Sequence, residues 1–237
     1  MENAKNSYIR TFGRIHGKKL SARQQWLLDN LLPTLIPTQT DAAGAVLEIG
    51  FGAGEHILHL AKNHQSLQII GAEPFINGVA SLLSQMADDE NKVKPEYQNI
   101  RIWPDDVRKL FNLNSKLSTL NSVNLCFAKI YILHPDPWPK ARHEKRRLLS
   151  AEFLNELAER LAPGGQIIIA TDHLDYFDWI LEQTKKSRLL TLNSKLLKSN
   201  SLYEFDFTTP PESGLDTRYK KKDMFGANTC RYLVLGM

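Results

Sequence analysis

"LEIGFGAGEHI", running from Leu47 to Ile57, decides the fold. It closes a short apolar run, "AVLEIG", places glycines at 50, 52 and 54, and enters "EHILHLAKN", whose apolar spacing is helical. A strand that passes into a helix through a glycine turn opens a βαβ unit, and such units bind ligands at the carboxyl ends of their strands. Working outward, "LQIIGA", "NIRIW", "AKIYIL" and "QIIIAT" read as strands. The helical patterns "INGVASLLSQMA", "DVRKLF", "RRLLSAEFLNELAERL" and "YFDWILEQTKK" lie between and after them. Continuous apolar strands separated by helices predict a parallel sheet covered on both faces, a doubly wound α/β domain. "LYEFDF" and "CRYLVLG", joined through "TTPPESG", predict a hairpin-like pair at the sheet edge, giving seven strands with one antiparallel edge strand. "KSRLLTLNSKLLKSN" fits helix and strand equally. Before the first strand, Ser21 and Gln24 form a capping-box pattern opening the helix "SARQQWLLDNLLPTLI", and "RTFGRIHGKKL" reads as a basic arm.

A chain of 237 residues with 42% hydrophobic content is read as one domain over 1–237, with 1–40 supplying the arm and its helix. The net charge of +4 permits an anionic partner but does not demand one. Cys126 and Cys230 are far apart and form no CxxC pair, as expected of buried thiols in a reducing compartment. No apolar run approaches the roughly 18 residues that span a bilayer, so the expectation is a soluble, cytoplasmic protein without membrane association. The seven histidines are scattered, and no metal site is expected.

The glycine spacing narrows the ligand. A dinucleotide fingerprint needs G-x-G-x-x-G, but here the third glycine comes one residue early and Glu55 holds the expected position. Glu48, two residues before the turn, repels a pyrophosphate and attracts a cation. S-adenosylmethionine carries both an ammonium and a sulfonium; the alternative for Glu48 is a structural ion pair. Glu73 ends the second strand at the spacing where an acid grips ribose hydroxyls, or else caps the next helix. Asp105 and Asp106 follow the third strand and either accept from an adenine amino group or cap "VRKLF".

After the fourth strand comes "HPDPWPK". Pro135, Pro137 and Pro139 bias His134, Asp136 and Trp138 toward extended backbone, which preorganises the Asp136 carboxylate over the same crevice. Lys140, Arg142, His143, Lys145, Arg146 and Arg147 follow at what reads as a helix start, where cations oppose the helix dipole and invite an external anion. With Arg10, Arg14, Lys18, Lys19, Arg23 and "RYKKK" they would form a track for a phosphate backbone. Trp138 either stacks on an extruded base or covers the corner. Asp172 either borders the base pocket or caps the following helix.

"PDPWPKARHEKRR", with "LEIGFGAG", "IIGAE", "ATD" and a late "TRYK", resembles the bacterial tRNA (guanine-N7)-methyltransferase family, of the class I S-adenosylmethionine-dependent methyltransferases, from the "GRIHGKKLS" arm to the end of the chain. The resemblance implies a Rossmann-like fold and methyl transfer to N7 of a guanosine in the tRNA variable loop, position 46. It implies that Glu48, Gly50, Gly52, Glu73, Asp106 and Asp136 hold S-adenosylmethionine and that Asp136 is catalytic. It further implies that Lys140, Asp172, Thr217, Arg218, Tyr219 and Lys220 meet the tRNA, in a monomer or homodimer. Lys220 stands where the family carries an acid, which suits phosphate contact, and His134 stands where it generally has Phe, a packing substitution. The alternatives are a methyltransferase acting on another RNA target and a non-catalytic RNA-binding protein of the same fold.

Overall fold

The computed structural model describes residues 11–13, 15–38, 41, 44–116, 126–187, 215 and 230–236. Among them are six strands: β1 (Ala45–Ile49), β2 (Ile69–Ala72), β3 (Ile100–Trp103), β4 (Phe127–Leu133), β5 (Leu161–Thr171) and β6 (Arg231–Gly236). They form one sheet in the order β3-β2-β1-β4-β5-β6. The first five are parallel and β6 is antiparallel to β5. This is the doubly wound sheet with an antiparallel edge strand; "LYEFDF", expected as a further strand, lies outside the described residues, as does most of "KSRLLTLNSKLLKSN".

Alternation along the strands feeds two cores. Leu47, Ile49, Ile70, Ala72, Ile130 and Ile132 pack on α4 (Val107–Lys116), α5 (Ala151–Ala158) and α6 (Leu174–Lys186). Val46, Ile69, Tyr131 and Leu133 pack on the other side, on α2 (Glu55–Asn63), α3 (Ile76–Met86) and the leucines that follow α1 (Ala22–Trp26). Burial on both faces is why these strands read as apolar runs, and Glu48, on the α2 side, is the exception. The sheet order reverses at β1, so the crevice opens at the carboxyl ends of β1 and β4. Among the described residues no helix is long and apolar enough to cross a membrane. Cys230 is buried, and Cys126 is half-buried rather than buried as expected.

Three local expectations are corrected. The Ser21 capping box forms, with Gln24 N–H donating to Ser21 Oγ and Ser21 N–H to Gln24 Oε1. The α-helix nevertheless stops at Trp26 and widens into a π turn (Leu27–Leu31) before a 3-10 turn (Leu32–Leu35). Pro33 explains it, because its ring has no N–H and would strike the carbonyl four residues back in α geometry. The helix after the cationic run begins only at Ala151, capped by Ser150 with Glu152 in its first turn, and the cations occupy a separate 3-10 turn (Ala141–Arg146). They do not oppose the α5 dipole. β5 starts earlier than "QIIIAT": Leu161 already pairs with Phe127, and the Pro163-Gly164-Gly165 stretch loops out before pairing resumes at Gln166.

Gly78 shows how closely α3 meets the glycine turn, because a methyl group there would collide with the carbonyl oxygen of Gly52. Gly78→Ala gains about 1 kcal/mol of helix propensity. It must displace a backbone atom, however, which costs about 1–3 kcal/mol, and the clash wins. Urea denaturation should show Gly78→Ala less stable than the wild type, and an equal or higher midpoint would rule out this contact.

Candidate active site

Parallel pairing brings the sequence-distant acids together. Glu48 in β1 lies opposite Gly71 of β2 and Tyr131 of β4, so Glu73, just beyond β2, and Asp136, just beyond β4, stand at the same edge. Gly50 and Gly52 have φ of 77° and 58°, and a Cβ on either would meet open space. Left-handed backbone favours glycine at both, and the space above them is left to a ligand. Glu73 holds the turn in shape: its two carboxylate oxygens accept the N–H groups of Gly52 and Phe75, each at 2.8 Å. Each oxygen keeps a lone pair for a ligand hydroxyl.

Burial is the largest influence on Glu73 and raises its pKa. The two backbone bonds pull the other way, and the Asp136 and Glu48 charges add to the rise. Those carboxylates therefore share one field, which a cation would relieve. Asp136 is exposed to solvent in the open crevice, but desolvation by the surrounding protein still raises its pKa.

Glu48 is 2% exposed and is not alone. His56, on the second residue of α2, presents Nδ1 at 3.0 Å from Glu48 Oε2. The imidazole stands edge-on to the Tyr131 ring at 4.7 Å, and its Nε2 is buried with no hydrogen-bond partner among the described residues. One Glu48 oxygen is thus tied down, which fixes where the other points.

Asp106 sits at the end of β3 with its carboxylate already engaged. It accepts from Arg108 Nε at 2.9 Å and Nη2 at 2.6 Å, from Arg108 N–H at 3.0 Å, and from Thr11 Oγ1 at 2.9 Å. Burial alone would raise its pKa, but the bonds and charge of Arg108 prevail and hold it below the usual value.

The chain matches the family described as "Putative methyltransferase" over residues 42–214. A tRNA (guanine-N(7)-)-methyltransferase of Caulobacter vibrioides is 34% identical, over 91% of this chain and 90% of the relative. One from Rhodospirillum rubrum is 34% identical over 95% of this chain and 86% of its own length. The chain belongs to the tRNA (guanine-N7)-methyltransferase family. A solved 16S rRNA (adenine(1408)-N(1))-methyltransferase from Catenulisporales acidiphilia matches over 96% of this chain and 98% of its own, at 12% identity and a TM-score of 0.45.

In this methyltransferase the proline corner departs from the extended path its prolines suggest. His134 and Trp138 have φ of 52° and 43°, in the left-handed region. His134 N–H still donates to Ala170 O at 2.7 Å, closing the last β4–β5 rung, so the chain must turn sharply off the sheet there. The His134 side chain is buried, with Nδ1 3.7 Å from Asp172 Oδ1. Asp172 is not the cap of α6: His173 is, accepting Tyr176 N–H on Nδ1 at 3.3 Å. Trp138 is held between the Arg146 guanidinium, 5.0 Å away, and the edge of His143. Lys140 is exposed at the rim. Thr217, Arg218, Tyr219 and Lys220 lie outside the described residues, as do Arg10, Arg14 and "RYKKK".

The arm was the least legible part. Thr11 bonds Asp106, Phe12 lies under Arg146, and a methyl group on Gly13 would come 3.5 Å from Asp136 Oδ2. Ile15 O accepts Ile76 N–H, and Gly17 N–H and Lys18 O both bond the Asn77 amide. It crosses the acidic edge from β3 to α3. His56 was also missed; the only signal for it was a histidine on the apolar face of a helix next to a buried acid. Among the described residues no cluster suits a metal ion.

His56→Phe leaves a buried carboxylate without its donor, a bond worth about 1.5–3 kcal/mol for a charged partner. Urea denaturation of the single and double variants should show His56→Phe destabilised by that amount and the loss largely relieved in Glu48→Gln/His56→Phe. Additive losses would mean the pair is not coupled.

Proposed function

We propose that the chain transfers a methyl group from S-adenosylmethionine to N7 of a guanine in tRNA, the variable-loop guanosine that the family resemblance implies. The observation that carries the reading is the shared field of Glu48, Glu73 and Asp136 beside an open glycine turn. It fits a cationic ligand with ribose hydroxyls and disfavours a pyrophosphate. When bound, the cofactor supplies an electrophilic methyl carbon on a sulfonium. Gly50 and Gly52 leave room for its backbone-proximal part, the remaining Glu73 lone pairs take hydroxyls, and the second Glu48 oxygen is oriented by His56. Asp106 stands at the adenine end, its carboxylate fixed by Arg108.

N7 of guanine carries a lone pair and no proton, so no general base is needed. The chain's task is alignment, to which positioning alone contributes several kcal/mol. Positive charge develops on the imidazole ring of the base as N7 is methylated, and Asp136 is placed to stabilise it electrostatically. Lys140 and Asp172 border the approach, with Thr217, Arg218, Tyr219 and Lys220 supplying further contacts to the RNA.

Incubation with labelled S-adenosylmethionine and unmodified tRNA, followed by nucleoside identification, should yield 7-methylguanosine; label in any other nucleoside overturns the reading. Asp136→Asn keeps the shape and removes the charge, and should lower kcat by about 10²-fold with tRNA binding retained. The wild type should show an acid limb, because burial raises the pKa of both Glu73 and Asp136 and so neutralises them at a pH where an isolated carboxylate is still ionised. Cofactor affinity measured by calorimetry should therefore fall as pH drops through those values and level off above them; affinity flat to below the ordinary carboxylate range would contradict it.

A further inference from the structure

Five lysines and arginines lie from Lys140 to Arg147, and the structure divides them. Lys140, Arg142 and Lys145 are exposed, whereas Arg146 and Arg147 are turned inward and partly buried. Arg147 donates from Nε to the carbonyl oxygen of Pro137 at 2.9 Å. Its guanidinium lies over the rings of Tyr176 at 5.3 Å and Trp179 at 5.1 Å, both on α6. The Tyr176 ring is fully buried, and Trp179 Nε1–H donates to Glu144 Oε1 at 2.8 Å. The 3-10 turn and the residue that follows it are thus fastened to α6 at two points, through Glu144 and Arg147, and Arg147 reaches back to the peptide next to Asp136.

From this geometry we infer that Arg147 is a positioning residue for the Asp136 corner, and not a contact to RNA phosphate. The inference rests on the reading of Asp136 as the group beside the reacting base. Left-handed backbone at Trp138 is strained for a residue with a Cβ and persists only where its surroundings over-determine it. Arg147 fixes the carbonyl before that residue, and Arg146 stacks on its ring. The path of restraint runs from α6 through the guanidinium to Pro137 O and so to Asp136. Lysine cannot replace it, since an ammonium cannot lie flat on two rings while presenting an in-plane N–H.

The test compares Arg147→Lys and Arg147→Met with Arg142→Ala, using thermal melting to check folding. Both Arg147 variants should lose about tenfold or more in kcat at saturating tRNA, because small misplacements of a reacting constellation are costly. The slope of log affinity for tRNA against log salt should match the wild type in both, whereas Arg142→Ala, on the exposed face, lowers that slope by about 1. Arg147→Lys with wild-type kcat, together with a reduced slope in Arg147→Met, would overturn the inference in favour of a phosphate contact. If neither Arg147 variant folds, Trp179→Leu decides: removing one stacking plane should cost about fivefold in kcat, and unchanged kcat overturns the inference. A wild-type chain that does not methylate tRNA sinks the functional reading instead. The inference is then decided by hydrogen exchange of the peptide 133–141, which should quicken in Arg147→Met and not in Arg142→Ala; unchanged exchange refutes it.

Discussion

Mutual repulsion among carboxylates at one edge of a parallel sheet is the constraint on which this structure turns. A parallel sheet aligns the carboxyl ends of its strands, so an acid near the end of β1 and acids just beyond β2 and β4 converge although they are far apart in sequence. Folding alone would disperse them, because buried charge without a partner is costly. The chain instead holds Glu73 with two backbone N–H groups and Glu48 with an imidazole. Asp136 is left to the solvent of the crevice. The result is an edge that is stable enough to fold yet still short of positive charge, which is what a cationic cofactor needs from an enzyme of this family.

The same supports fix geometry. Glu73 ties the end of β2 to the glycine turn after β1, so the turn's shape and the carboxylate's direction are one feature. Asp106 plays a comparable part at the next strand. Its bonds to Arg108 and Thr11 join β3, α4 and the arm, which makes its carboxylate rigid and leaves less of it for a ligand than the β3 position alone suggests. The arm runs from that point past Asp136 to α3, so three of the acid-bearing ends are linked by one segment near the chain's beginning.

What could be read from the sequence was whatever is encoded locally. Strand and helix alternation follows from period and apolar runs, and the acids at 48, 73 and 136 follow from their positions just before or after strand ends. The Ser21 capping box is a four-residue pattern and formed as such. What failed depended on contacts across the fold. Pro33 reshaped α1 because a helix pattern does not show that the proline falls too late for the first turn. The prolines at 135 and 139 favour extended neighbours, but the β4–β5 rung and the rings around Trp138 override that preference. The partner of Glu48 lies only eight residues on, yet only the packing of α2 on β1 brings it near, and the arm's course over the acidic edge has no sequence period at all.

The cationic run illustrates the same limit in electrostatic terms. Counted from the sequence, Lys140 to Arg147 is one basic patch and invites one function. In three dimensions, side-chain chemistry separates it: the lysines and Arg142 keep their hydrated heads at the surface, while the two consecutive arginines at the end of the run lie on aromatic rings. Guanidinium is more weakly hydrated than ammonium, so it loses less on leaving water and gains from the face of a ring. Arg146 takes Phe12 and Trp138, and Arg147 takes Tyr176 and Trp179. Two of the five lysines and arginines in what looks like an anion track therefore serve as the internal frame of the corner, and the charge available to RNA at this rim is correspondingly concentrated on Lys140, Arg142 and Lys145.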